Sequence, residues 1–252
     1  MTWLKAVGAL CFGILLSGDG LAAVSLAGTR LIFDGRDREV SIQASNGGAK
    51  ELLLQAWLSA ADELARPEDL PFVVTPHLVH LPAQGKQTLR LLYEGVGMPE
   101  ERESLLHLYV MEIPRRSDAQ QQLTIAVRQR INVFYRPPGL RGNPADAAHQ
   151  LLWQQVHEPG GEVRLHVSNP TAFHVSLLAL KLDGLQVRDD WLIKPGEATS
   201  VPLAGDGHAT RLSFKALTDY GGQRAYCAQL TDSGREAARL MTRTPNSVIG
   251  KC

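Results

Sequence analysis

The stretch Ile131–Leu140, "INVFYRPPGL", decides how the chain is read. Ile131, Val133 and Tyr135 alternate with Asn132, Phe134 and Arg136, and such alternation of β-branched and aromatic residues describes a strand. Pro137 and Pro138 end it, because proline has no N–H to give a ladder. The same run begins further back as "LTIAVRQRINVFYRP" (123–137), in which Leu123, Ile125, Val127 and Ile131 share one face by period-two alternation. After it comes "RPPGLRGNPADAAH" (136–149), with three prolines and two glycines and no apolar rhythm. That segment reads as an interdomain linker.

Strands dominate on both sides of the linker. Upstream lie "EVSIQAS" (39–45), "ELLLQAWLS" (51–59), "FVVTP" (72–76), "KQTLRLLYE" (86–94) and "SLLHLYVMEIP" (104–114). Asn46-Gly47-Gly48 and the segment Leu81–Gly85 supply turn signals between them. About seven short strands in ~115 residues is the count of an immunoglobulin-like sandwich. Downstream the rhythm resumes in "QLLWQQV" (150–156), "GEVRLHVSNP" (161–170), "TAFHVSLLALKLDG" (171–184), "EATSVPLAG" (197–205), "TRLSFKALTDYGG" (210–222) and "RAYCAQLT" (224–231). The expected architecture is therefore all-β, with one sandwich over residues 24–140 and a second over 141–252. The tail segment "SGREAARLM" (233–241) alternates poorly and is read as a helical turn or as no regular element.

Composition narrows the function classes. The 252 residues carry no formal net charge, with 44% hydrophobic and 21% charged residues. That balance is globular and excludes the basic excess of a nucleic-acid binder. The N-terminus has Lys5, the apolar run "AVGALCFGILL" and then "SGDGLAA", the layout of a secretory signal peptide ending near Ala22-Ala23. The run is short for a membrane span, and no later segment approaches the ~20 apolar residues that a span needs. An exported protein that is not embedded in a membrane is expected, with residues 1–23 as its signal. Cys11 would leave with that signal. Cys227 and Cys252 would enter an oxidising compartment, where a pair is more often a disulfide than a metal site.

Motifs of catalysis are missing. The chain has no His-Glu-x-x-His, no Gly-x-Ser-x-Gly and no glycine-rich phosphate loop. His77 and His80 stand between Pro76 and Pro82, and on an extended segment residues three apart face opposite ways. Binding, without metal or cofactor, is the better reading than an enzyme.

Five blocks then carry a resemblance: "AVSLAGTRLIFDG" (23–35), "RESLLHLYVMEIPRRS" (102–117), "LTIAVRQRINVFYRP" (123–137), "NPTAFHVSL" (169–177) and "TDYGG" (218–222). In this order they resemble the periplasmic pilus-assembly chaperones of the chaperone–usher pathway, the PapD-like family. The short connection Ser117–Gln122 is similar to the family's short F–G loop branch. The resemblance implies two immunoglobulin-like domains set in an L shape around a cleft, and a function without cofactor or catalysis. Such a chaperone lends its G1 strand to a pilin subunit that lacks one, then passes the subunit to an outer-membrane usher. Here that strand would be donated through Leu123, Ile125, Val127 and Ile131.

The resemblance further implies a basic anchor in the cleft for the subunit's terminal carboxylate. Arg30 falls on the family arginine. The family lysine position holds Asn132, an amide without charge, and Arg130 two residues earlier is the candidate substitute. Glu103, Arg136 and Asp219 match the ion network that locks the domains. The resemblance leaves open whether a client-free chain self-associates through its donor edge. A pilin is the alternative within the same export route, but it would show an incomplete sandwich.

Overall fold

The computed structural model describes residues 23–61, 70–115, 125–203, 209–231 and 234–241. Its first sandwich is built from β1 (Val24–Leu26), β2 (Arg30–Asp34), β3 (Glu39–Asn46), β4 (Leu52–Ala60), β5 (Phe72–Thr75), β6 (Leu78–Leu81), β7 (Lys86–Tyr93), β8 (Ser104–Pro114) and β9 (Val127–Arg136). The strands form two sheets, in the orders β1-β3-β7-β5 and β2-β9-β8-β4-β6. The alternation seen in the sequence is the cause. In β8, Leu106, Leu108 and Val110 point inward and are buried, while Leu105, His107 and Tyr109 between them face outward.

The second sandwich comprises β10 (Leu152–His157), β11 (Val163–Ser168), β12 (Val175–Leu182), β13 (Leu185–Ile193), β14 (Ala198–Leu203), β15 (Arg211–Leu217), β16 (Gln223–Gln229), β17 (Glu236–Ala237) and β18 (Arg239–Leu240). Its sheets run β14-β11-β10-β17 and β13-β12-β15-β16-β18. Two separate apolar cores follow, one holding Phe33, Leu54, Leu89 and Leu108, the other Trp153, Leu165, Leu177 and Phe214.

Each core is closed at one end by a buried asparagine. Asn46 ends β3 and donates from Nδ2 to the carbonyls of Lys50 and Pro82, 2.9 Å each, while its Oδ1 accepts from the Gly48 N–H at 2.9 Å. Asn169 follows β11 and donates to the carbonyls of Phe173 at 2.7 Å and Lys194 at 3.0 Å. Both lie at 1% exposure. In each case one amide satisfies loop carbonyls on the opposite sheet that have no ladder partner, so its loss strands them in a dry site. Asn169→Ala is expected to lower stability by about 2–3 kcal/mol, measured as a shift in thermal unfolding with the second domain affected most.

The structure corrects the tail. Residues 236–240 form the short strands β17 and β18, which pair with β10 and β16 respectively. The edges of two existing sheets override the weak local signal. Cys227 is buried in β16 and disulfide-bonded. Cys252, Leu123 and residues 1–22 of the expected signal segment 1–23 lie outside the described residues.

The first strand changes sheets, and that positions the site. β1 pairs antiparallel with β3, Val24 opposite Asn46. After Ala27, Gly28 and Thr29 the chain crosses over, and β2 pairs in parallel with β9, from Arg30 opposite Asn132 to Asp34 opposite Arg136. β9 is also paired with β8 along its length up to Val127 opposite Glu112. Consequently, among the described residues, 127–131 of β9 are laddered on the β8 side only. Their other side is an open edge.

Candidate functional site

The outer face of β9 carries its even-numbered residues, and the pairing with β2 and β8 turns these into rows across the sheet. The row nearest the second domain contains Arg136 beside Glu103. Arg136 Nε donates to Glu103 Oε2 at 2.6 Å, and its two terminal nitrogens reach both Asp219 oxygens at 2.6 and 2.7 Å. The arrangement brings together the three charges that the sequence grouped, and it crosses the domain boundary. The Glu103 side chain is 1% exposed. Burial disfavours the Arg136 cation, but the two carboxylates reverse this and leave its pKa above the ordinary value.

A fourth member escaped the sequence reading. His174 approaches Glu103 Oε1 with its backbone N–H at 2.9 Å and its Nδ1 at 2.8 Å. Its ring also lies 5.4 Å from that of Phe134. Nothing in the spacing of residues 103 and 174 announces this. The block "NPTAFHVSL" locates the loop, but only the fold brings it to the start of β8.

Arg30 lies two rows from Arg136. Its guanidinium sits over the Phe134 ring, 5.5 Å from the centroid. Burial holds its pKa below the ordinary value, with Asp219 and Glu103 opposing that and Arg136 adding to it. Both acids are already bonded to Arg136, and the buried Arg30 Nε has no hydrogen-bond partner among the described residues. The cleft between the domains is lined by Arg30, Phe134 and Arg136 on one side and His174, Asp219 and Arg224 on the other. A half-buried cation with unused donor capacity, lying in a cleft, is an anion site in waiting.

Asn132 is level with Arg30, with its side chain on the same face. Arg130 lies one row further from the lock, exposed and opposite Tyr109. On the inward face the donor candidates separate. Ile125 is 65% exposed and Val127 is half-buried. Ile131, in contrast, is 7% exposed and part of the first core, so its side chain is committed to the chaperone domain itself. It is corrected from a donor residue to a core residue, because the alternating row dives under the second sheet where β2 joins β9. Between them Gln129 donates to the Val24 carbonyl at 2.7 Å, and the buried Glu112 accepts from the Val24 N–H at 2.8 Å. These two bonds hold β1 on the opposite sheet, away from the open edge.

Comparison with known proteins decides the family. Residues 23–141 match the pili and flagellar-assembly chaperone PapD N-terminal domain, and residues 146–228 match the pili assembly chaperone PapD C-terminal domain. The chain belongs to the PapD-like pilus-assembly chaperones. It is 34% identical over 234 residues to a probable fimbrial chaperone, YadV of Escherichia coli K12, covering 86% of this chain and 95% of the relative. It is 30% identical over 246 residues to the chaperone protein FimB/FhaD of Bordetella pertussis, covering 91% and 99%. The crystal structure of the YadV chaperone superposes with a TM-score of 0.67 over 83% of this chain and 100% of that one. The SafB chaperone, solved in complex with the SafA pilin of Salmonella enterica, gives 0.70 at 25% identity, over 88% and 97%.

The chain is thus a fimbrial chaperone of the chaperone–usher pathway, in a family of pilus-assembly chaperones rather than enzymes. Among the described residues no group of three His, Cys, Asp or Glu is placed to hold a metal ion, and no helix is long and apolar enough to cross a membrane.

Proposed function

We propose that this chaperone binds a strand-deficient pilin subunit along the open edge of β9, with the subunit's terminal carboxylate on Arg30. It is exported by its N-terminal signal, works in the periplasm, and releases the subunit to an outer-membrane usher. The observation that carries the reading is the juxtaposition of three features. The stretch Ile125–Gln129 borders an unladdered edge, Ile125 is exposed beside it, and Arg30, its Nε without a hydrogen-bond partner among the described residues, lies where the edge closes. An added strand satisfies its backbone along such an edge, while alternate side chains of the donor fill the client's groove. Covering that groove also protects a surface that would otherwise aggregate. In this reading Leu123, Ile125 and Val127 are the donor side chains.

Ile125 gives a clean test because its side chain supports little of the chaperone's own core. Ile125→Ala is expected to leave the unfolding temperature unchanged and to weaken subunit binding by about 2 kcal/mol, roughly thirtyfold. Recovery of a co-expressed subunit from the periplasm measures the loss. Wild-type recovery with this variant would remove Ile125 from the donor strand. The open edge is equally accessible to a second copy of the chain, so client-free protein should show concentration-dependent association that bound subunit abolishes.

A further inference from the structure

We infer that His107 is a ligand of the client's terminal carboxylate, completing with Arg30 and Asn132 a row of three donors across β2, β9 and β8. The inference rests on the proposed anchoring at Arg30 and adds to it the residue that does the work of the absent charge at position 132. Register puts the three together: Arg30 lies opposite Asn132, and Asn132 lies opposite His107. Laterally paired residues point to the same face, about 4.8 Å apart from strand to strand. A carboxylate seated over the Asn132 amide therefore has Arg30 on one flank and His107 on the other, each one strand away.

The two flanking residues share an unusual condition. Arg30 Nε and His107 Nδ1 are both buried without a hydrogen-bond partner among the described residues. A buried N–H without an acceptor is costly, so the favoured neutral ring keeps its proton on Nε2 and leaves Nδ1 bare. Nε2 is then the donor; in the free protein it faces the Asn132 side chain, and a carboxylate seated over that amide takes the amide's place. His107 also meets the Tyr109 ring edge-on at 6.3 Å, which fixes the ring's placement on the face.

Arg130 does not fill this role in the same way. It stands in the next row, about 6.8 Å further along the strand, and it is exposed. Its effect on His107 is repulsive. Burial first and the Arg130 charge second hold the His107 pKa below its ordinary value, with the Asn132 side chain opposing them. Around the ring stand Arg130 and Asn132 on β9, Tyr109 on its own strand, Ser59 and Trp57 on β4, and Arg30 beyond β9. No carboxylate belongs to that set, so only the Asn132 side chain opposes the downward shift. An arriving carboxylate supplies the missing counter-charge and raises the pKa, so binding takes up a proton. The gain in affinity is fully present below the free-state pKa and fades as pH rises through the bound-state pKa.

The experiment is calorimetric titration of the full chain with a synthetic peptide of alternating apolar and polar residues. It is made once with a free terminal carboxylate and once as the terminal amide. The acid-over-amide preference is expected to grow about tenfold between about pH 7.5 and about pH 5.5. His107→Gln should flatten that growth while leaving amide binding and the unfolding temperature as in wild type. Asn132→Lys should restore a strong acid preference at both pH values. If His107→Gln keeps the pH-dependent step, His107 is not a ligand, although the anchor at Arg30 stands. If acid and amide bind equally to the wild type, the anchor falls and this inference falls with it. If neither peptide binds, the strand-edge reading itself is wrong.

Discussion

Replacing Arg136 with alanine is expected to lower stability by about 4 kcal/mol and to uncouple the two domains. The magnitude follows from what is left behind. Glu103 keeps its two contacts from His174, but its carboxylate remains 1% exposed with its counter-charge gone. Asp219 is less affected, since a third of its side chain is exposed and water can replace the lost bonds. The expected cost therefore concentrates on Glu103. Adding Glu103→Gln to Arg136→Ala removes the stranded charge and should recover a substantial part of the loss, a non-additivity that chemical denaturation measures directly. Strict additivity would mean that the three charges act independently. Because Arg136 joins strand β9 of one domain to Asp219 of the other, solution scattering of Arg136→Ala should also show a wider spread of interdomain geometries than wild type.

Arg30→Ala carries the second large effect, and here the prediction is functional. Arg30 contributes little to the fold: its Nε is unpaired and its contact is with the Phe134 ring. Truncating one side of a desolvated charged pair typically costs several kcal/mol. Subunit binding is therefore expected to weaken by about 4 kcal/mol, near a thousandfold, with the unfolding temperature close to wild type. Arg30→Lys should recover only part of this, because an ammonium cannot present the two parallel donors of a guanidinium. Equal loss from Arg30→Ala and Arg30→Gln, with Arg30→Lys fully active, would reduce the arginine to a point charge.

Much of the fold is legible in the residues themselves. β3, β4, β8 and β9 announce their faces by alternation, and the prolines after Arg136 announce the end of the first domain. β6 is hidden because Pro76 and Pro82 bracket it and suggest mere extension. β13 is hidden for a different reason: in "LQVRDDWLI" the residues Arg188, Asp189 and Asp190 are exposed in succession, so its period is lost. Its partner β12 shifts register at Leu180–Lys181, which breaks the alternation on that side as well.

The site divides along the same line. Arg30, Asn132 and Arg136 fall on positions to which the family resemblance gives a role, and that suffices to single them out. His174 and His107 lie in such blocks too, but the resemblance gives them no role, and in sequence they are two scattered histidines. Their significance depends on a loop crossing the domain boundary and on the strand register, neither of which local pattern encodes. Ile131 shows the converse error: it shares the period-two face of Val127 across the polar Gln129, yet burial along that row changes where β2 joins the sheet.

In the proposed complex β9 offers its open edge to a subunit. Amide hydrogen exchange across residues 125–131, with and without a co-purified fimbrial subunit, tests it most directly. These amides, exchanging on the unladdered side in the free chaperone, are expected to become protected when the subunit is bound, while residues 132–136 change little because β2 already covers them. A stable complex in which residues 125–131 exchange as fast as in the free chain would contradict it.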